Sequence, residues 1–297
     1  MADLVCIPTY FRPASLYLCL EHLLKAYGGE DKEICVFHDR HWGDPGNKKN
    51  ELTESLQVFK SFVGKFSNMR YVERPMQRSA GNARNFLEMY REVLKTRFRY
   101  VYTVEDDVIV APDFFRWHEA VQARGDYFCS VAWHCIRNKA VDKTNDPTAY
   151  IESGVDFSSI GVCWKRENLA IVAEHATDAY YRDQPGYLHA RFPTAPEELA
   201  LFSEQAGLIM RILLSNPTLK VAWAGLPRSA HTGVSGYHRL SGKTLSGSVE
   251  SQISQLRSKI GNTESLLAMC DDPFEDISAL PEIGEWKAED LHVTQKF

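Results

Sequence analysis

The first 107 residues alternate between short apolar runs and longer stretches whose apolar positions recur every three or four residues. "DLVCIPTY" is an apolar run of strand length. "SLYLCLEHLLKAYGG" has helical spacing and a glycine stop. The pattern repeats with "EICVFHD" (strand), "NELTESLQVFKSFVGKF" (helix), "MRYVERP" (strand), "AGNARNFLEMYREVLKT" (helix) and "YVYTVEDD" (strand). Strands alternating with helices predict parallel βαβ units with right-handed crossovers. In such α/β sheets ligands gather beyond the carboxyl ends of the strands. That rule places residues 9–12, 38–40 and 105–107 along one rim.

The second half is less regular. "DYFCSVAWHC" and "GVCWKRENL" read as strand pieces around a polar loop, and "PEELALFSEQAGLIMRILLSN" reads as a helix ended by Asn-Pro. "LKVAWAGLP" is a last strand, and "HTGVSGYHRLSGKTLSGS" is a Gly- and Ser-rich loop. "VESQISQLRSKIGNTESLLAM" has the pattern of an amphipathic helix interrupted at Gly261, followed by an acidic tail placed on the surface. The expected division is a ligand-binding half over 1–107, an acceptor and catalytic half over 108–240 in the same domain, and a helix with a tail over 241–297.

Composition adds boundaries. Apolar residues make up 44 % and charged residues 25 % of 297, as in ordinary globular proteins. A net charge of −5 gives no global basic footprint for nucleic acid, although ten basic residues fall between Lys60 and Arg99. Their plainest reading is a set of solvated helix faces. No segment has the apolar length to cross a bilayer, and the N-terminus lacks the pattern of a signal peptide. The seven cysteines are odd in number, scattered and without a CxxC pair, which predicts reduced, buried thiols and a cytoplasmic protein.

Glu105, Asp106 and Asp107 stand between two apolar runs. Adjacent carboxylates repel and resist burial, so a strand interior is a poor place for them. A strand end that opens on a cleft and meets a cation is a better one. Such oxygen ligands suit Mg2+ or Mn2+, commonly shared with phosphate oxygens. By strand alternation Glu105 and Asp107 share a side and Asp106 faces away, unless a turn reorients it.

The stretch "VEDDVIVAPDFF" resembles the acidic motif of family 13 glycosyltransferases, the N-acetylglucosaminyltransferase I type. "PTYFRPASLYLCLEHLL" is similar to the first strand, Arg-Pro turn and helix of those enzymes, and "ICVFHD" to their second strand. The resemblance is good over residues 4–120, patchy over 150–240 and absent beyond. It implies a GT-A fold, an α/β architecture with a mixed, mostly parallel sheet flanked by helices and an irregular second half. It also implies inverting transfer of a sugar from a nucleotide diphosphate sugar, UDP-sugar favoured, with Mn2+ or Mg2+. On that basis Pro8, Thr9 and Arg12 end the first strand against the nucleotide, and Asp39 reads the base. Arg78, Gly81 and Arg84 in "RSAGNARNFLEM" cover the nucleotide sugar. Glu105 and Asp106 orient the sugar and the ribose, and Asp107 holds the metal. In "GLPRSAHTGVSG" Ser235 donates to the diphosphate; His231 or His238 offers a second metal ligand of the kind many GT-A enzymes take from this place, although family 13 does not need one.

Inversion needs a general base facing away from the leaving group. Glu204 in "LFSEQAGLIMR", with Glu197 and Glu198 in "TAPEELAL" as rivals, supplies the candidates; a helix-start glutamate that serves only the macrodipole is the competing role. Trp133, His134, Trp164, Tyr180, Tyr181 and Tyr187 are aromatic or polar groups for an acceptor or for the core. The acceptor is expected to be a saccharide, a protein or a hydroxymethylated base in DNA, without membrane insertion. A nucleotidyltransferase would carry a Gly-rich phosphate loop after its first strand, and "PTYFRP" has no glycine. A non-catalytic nucleotide-sugar-binding protein would need neither Asp107 nor a base.

Overall fold

The computed structural model describes residues 3–10, 12–41, 48–76, 81–134, 150–196, 199, 204–232, 245, 247–268 and 282–286. In the first half the apolar runs form β1 (Leu4–Thr9), β2 (Glu33–His41), β3 (Asn68–Met76) and β4 (Tyr100–Thr103). Between them lie α1 (Pro13–Lys25), α2 (Lys48–Phe62) and α3 (Gly81–Val93). β1 pairs in parallel with both β2 and β4, and β2 with β3. The first two crossovers therefore extend the sheet to one side of β1, and α3 carries the chain back to the other. Strand order reverses between β1 and β4, and the carboxyl ends there flank the crevice where α/β sheets bind ligands.

The second half continues the same sheet. It adds β5 (Val108–Val110), β6 (Cys129–His134), β7 (Tyr150–Ser153), β8 (Val162–Lys165), β9 (Val221–Ala224), β10 (Ser229–His231) and β11 (Glu282–Trp286). The main sheet runs β11-β7-β9-β6-β8-β4-β1-β2-β3. Its pairs are mostly parallel; β8 is antiparallel to β4 and β6, and β7 to β9. The helices are α4 (Phe114–Arg124), α5 (Arg166–Ala173), α6 (Asp178–Arg182), α7 (Gln184–Arg191), α8 (Gln205–Ser215) and α9 (Val249–Ala268).

Helices cover both faces, which is why the parallel strands read as unbroken apolar runs. On one face Phe86, Tyr90, Leu169 and Leu208 bring α3, α5 and α8 onto the sheet. On the other, Leu16, Leu20, Phe59, Phe115 and Trp117 do so for α1, α2 and α4. Trp164 and Tyr180 are fully buried in the first cluster, so both belong to the core.

Three elements depart from the sequence pattern. α9 runs through Gly261 without a break, because Ile253, Leu256, Ile260 and Leu267 form one buried stripe that outweighs the cost of a helical glycine. α6 and α7 were not expected in "DAYYRDQPGYLHAR", yet their caps are legible: Thr177 Oγ1 accepts the Tyr180 N–H at 3.3 Å and Asp183 Oδ1 the Gly186 N–H at 3.0 Å. β10 falls where a loop was expected; it pairs antiparallel with β5 in a separate two-stranded ribbon, with His231 opposite Val108.

A buried ion pair locks that ribbon. Asp113, in the "APDFF" run, accepts from Arg228 Nε at 2.9 Å, and both side chains are essentially inaccessible. The Ala111 N–H donates to the Arg228 carbonyl at 2.9 Å, and the Arg228 N–H to the Ala132 carbonyl at 2.8 Å. The guanidinium also lies 5.2 Å from the Trp117 ring centre. Removing one member would leave an uncompensated charge in the core. Arg228→Met is expected to lower stability by about 3–5 kcal/mol in urea unfolding; a loss below about 1 kcal/mol would count against this pair as the lock of the ribbon.

Candidate functional site

The acidic triplet begins where β4 ends. The Val104 N–H still donates to the Cys6 carbonyl at 3.0 Å and the Asp106 N–H to the Pro8 carbonyl at 3.4 Å, so the chain tracks β1 to its end. It then folds into a tight turn closed by the Val108 N–H on the Glu105 carbonyl at 3.0 Å. The turn replaces strand alternation. Asp106 and Asp107 converge on one cation while Glu105 goes elsewhere, which corrects the expected sharing of a side by Glu105 and Asp107.

That cation is Arg12. Its Nε donates to Asp106 Oδ2 at 3.2 Å, Nη2 contacts Asp106 Oδ1, and Nη1 contacts Asp107 Oδ2. Arg12 sits just before Pro13, the proline at the start of α1, with an extended φ of −130°. Asp106 also accepts from Thr9 Oγ1 at 2.6 Å and from the Tyr10 N–H at 3.2 Å. Asp107 Oδ2 has a second neighbour, His231 Nε2, at 3.0 Å. β10 delivers that imidazole, and Thr232 fixes the join by donating to the Asp107 carbonyl from its N–H at 2.8 Å and its hydroxyl at 3.1 Å. Asp107 Oδ1 is buried without a hydrogen-bond partner.

Glu105 accepts from Ser159 Oγ at 2.7 Å. Ser159 lies on the loop before β8, held by Ser229 Oγ donating to the Ile160 carbonyl at 2.9 Å. Gly161 ends the loop with φ +68°; a side chain there would also meet Ser229 Cβ at 2.8 Å. On the β2 side of the crevice, His38 is in register with Thr9, and its Nδ1 lies 2.5 Å from the Tyr71 hydroxyl. Asp39 is buried on the same rim.

The charges are strongly linked. Burial, helped by the charge of Asp107, pushes the Glu105 carboxyl up to about 7. Burial pushes Asp106 up to about 6 even against Arg12. For Asp107 burial is outweighed by Arg12 and His231, and its carboxyl is held below the usual range. The bond to Asp107 raises His231 against its own burial.

Other expected site residues make contacts of their own. Arg84 stacks its guanidinium 4.8 Å from the Tyr181 ring centre, at the helical layer. Gly81 opens α3. Pro8 contributes its carbonyl to the backbone of the triplet. Glu204 stands at the N-cap position of α8 without capping it through its side chain, and its charge raises the Tyr180 hydroxyl after burial has done so. Arg78, Glu197, Glu198, Ser235 and His238 lie outside the described residues. Of the basic run, Arg91 pairs with Glu88 and Lys95 with Glu92, as on solvated faces, while Arg99 reaches the buried Asp3. Ser159, Thr232 and Tyr71 escaped the sequence reading, because nothing in their local pattern announces a partner on another strand.

Two cis ligands of an octahedral ion at about 2.1 Å stand roughly 3 Å apart, and Asp107 Oδ2 and His231 Nε2 are 3.0 Å apart. The unpartnered Asp107 Oδ1 adds a spare acceptor. Among the described residues no cluster of three or more such ligands occurs. The pair has the spacing of two ligands of such an ion, with its remaining positions left to ligands from outside the chain.

No protein-family model matches the chain, and no curated protein matches it. Solved structures do. S. aureus TarS 1–349 in complex with UDP-GlcNAc is 15 % identical, with a TM-score of 0.50 over 88 % of this chain and 67 % of that one. The galactosyltransferase LgtC, in complex with donor and acceptor sugar analogues, is 10 % identical over 75 % of this chain and 73 % of its own, at a TM-score of 0.44 too distant to carry weight. The chain has the GT-A fold.

The shifts carry a pH signature for the ligand-free protein. Glu105 holds its proton more tightly folded than unfolded, so its contribution to stability is present below about pH 4.5 and is lost as pH rises through about 7. Glu105→Gln keeps an acceptor for Ser159 and removes the charge. Thermal unfolding should find this variant more stable than the parent at pH 8, by roughly 2 kcal/mol, and little changed at pH 4.5. An equal effect at both pH values would contradict the assignment.

Proposed function

We propose that this chain is a glycosyltransferase that moves a sugar from a nucleotide diphosphate sugar, UDP-sugar favoured, to an acceptor hydroxyl. The observation that carries the reading is the convergence of Asp106, Asp107, Arg12 and His231 at the point where strand order reverses. The fold shared with TarS, whose structure holds UDP-GlcNAc, supports the donor class. The motifs quoted from the sequence support the finer likeness to family 13 and, with it, inversion.

Under this reading residues 1–107 bind the donor and 108–240 the acceptor. Thr9, His38, Asp39 and Tyr71 line the nucleotide side of the crevice, and Asp106 anchors the Arg12 guanidinium beside the place of the diphosphate. Asp107 and His231 would hold Mn2+ or Mg2+, which when bound neutralises charge developing on the departing diphosphate. Glu105, fixed by Ser159, lies next to this group for the sugar. Glu204 is the base candidate within the described residues, at the start of α8; Glu198 is its rival. The five described cysteines are all buried, and the odd, scattered set of seven suits a reducing compartment such as the cytoplasm. No described helix is long and apolar enough to cross a membrane. The acceptor is a saccharide, a protein or a hydroxymethylated base in DNA.

Incubation with UDP-, GDP- and dTDP-sugars, Mn2+ and a panel of acceptors should release the nucleoside diphosphate and add one sugar mass to an acceptor. No turnover with any donor would sink the enzyme. Asp107→Asn should fold cooperatively and lose cation-dependent UDP binding by at least about tenfold, or 1.4 kcal/mol; binding like the parent's would refute Asp107 as ligand.

A further inference from the structure

Arg12 and a divalent ion have claims on the same oxygen. Asp107 Oδ2 receives Arg12 Nη1 and, at 3.0 Å, His231 Nε2. An ion bound between that oxygen and the imidazole would meet the positive guanidinium at contact range, in a setting where Asp107 is only 2 % exposed and screening is weak. Arg12 has a second anchor that does not conflict: Nε and Nη2 both lie on Asp106, which Thr9 and the Tyr10 N–H hold in place. The guanidinium can therefore let go of Asp107 and keep Asp106. Its freed edge is a planar pair of N–H donors of the kind that fits phosphate oxygens.

We infer that Arg12 is a built-in counter-cation that competes with the divalent ion for Asp107, and that the ion's arrival hands the guanidinium to the diphosphate of the donor. Ion and donor then bind with positive coupling, since each removes an obstacle to the other. This rests on the donor-site reading above. It makes Arg12 a positioning and coupling residue, beyond a simple phosphate contact.

The competition predicts effects of opposite sign in one variant. In Arg12→Gln, Mg2+ or Mn2+ titrated calorimetrically without nucleotide should bind about tenfold more tightly, because its competitor is gone, while UDP in the presence of the ion should bind about tenfold more weakly. Arg12→Lys keeps the charge but lacks the planar fork that grips Asp106 through two nitrogens while a third reaches Asp107, so it should show both changes at smaller size. Should Arg12→Gln fail to fold, the parent protein still answers. Its Arg12 Nε–H resonance should shift on addition of Mg2+ alone and again with UDP. Weakened binding of both ion and UDP in the variants, or an Nε–H signal indifferent to Mg2+, would overturn the inference and leave the donor-site reading standing. A parent protein that binds neither ion nor UDP overturns both.

Discussion

Two carboxylates placed side by side at the end of a buried strand repel each other and lose their water, and only a cation in contact with both makes the arrangement tolerable. Here that cation is the Arg12 guanidinium, spanning Asp106 and Asp107. Much of the surrounding architecture follows from this need. Pro13 sets the entry to α1 so that Arg12 lies over the end of β1, Thr9 and the Tyr10 N–H bind the remaining face of Asp106, and the parallel register of β1 with β4 brings the two sets of residues together. A misfit of one residue in that register would turn the carboxylates into the core.

The second constraint is the placement of His231. A lone loop histidine has little reason to stand near an aspartate far away in sequence. It does so because β10 zips onto β5, and that ribbon is held from beneath by Asp113 and Arg228 and covered by the apolar stripe of α9. The "APDFF" run thus has a structural meaning apart from any ligand. Its aspartate is a charge lock, and its two phenylalanines fill the core beside Tyr102.

The sheet of the first half was legible because burial on both faces writes strands as apolar runs and helices as a period near 3.6. The rim of Thr9, Asp39 and the triplet followed from topology alone. What stayed hidden has no period. The turn at residues 106–107 reverses the expected sharing of faces by backbone hydrogen bonding. Ser159 reaches Glu105 from a loop fixed by Gly161 and Ser229, two positions that local pattern cannot connect. Arg84 stacks on Tyr181, a partner that its own stretch of sequence does not announce.

The Thr232 hydroxyl and amide meet the Asp107 carbonyl across 125 positions of chain. Closing so long a loop delays the contact relative to the local βαβ pairings of the first half. During synthesis the early strands can assemble while the histidine is still unmade. The crevice is then a scaffold with its carboxylates neutralised by Arg12 but without its last wall. Completion of the site thereby becomes a late event in folding, since its last wall arrives only when β10 zips onto β5.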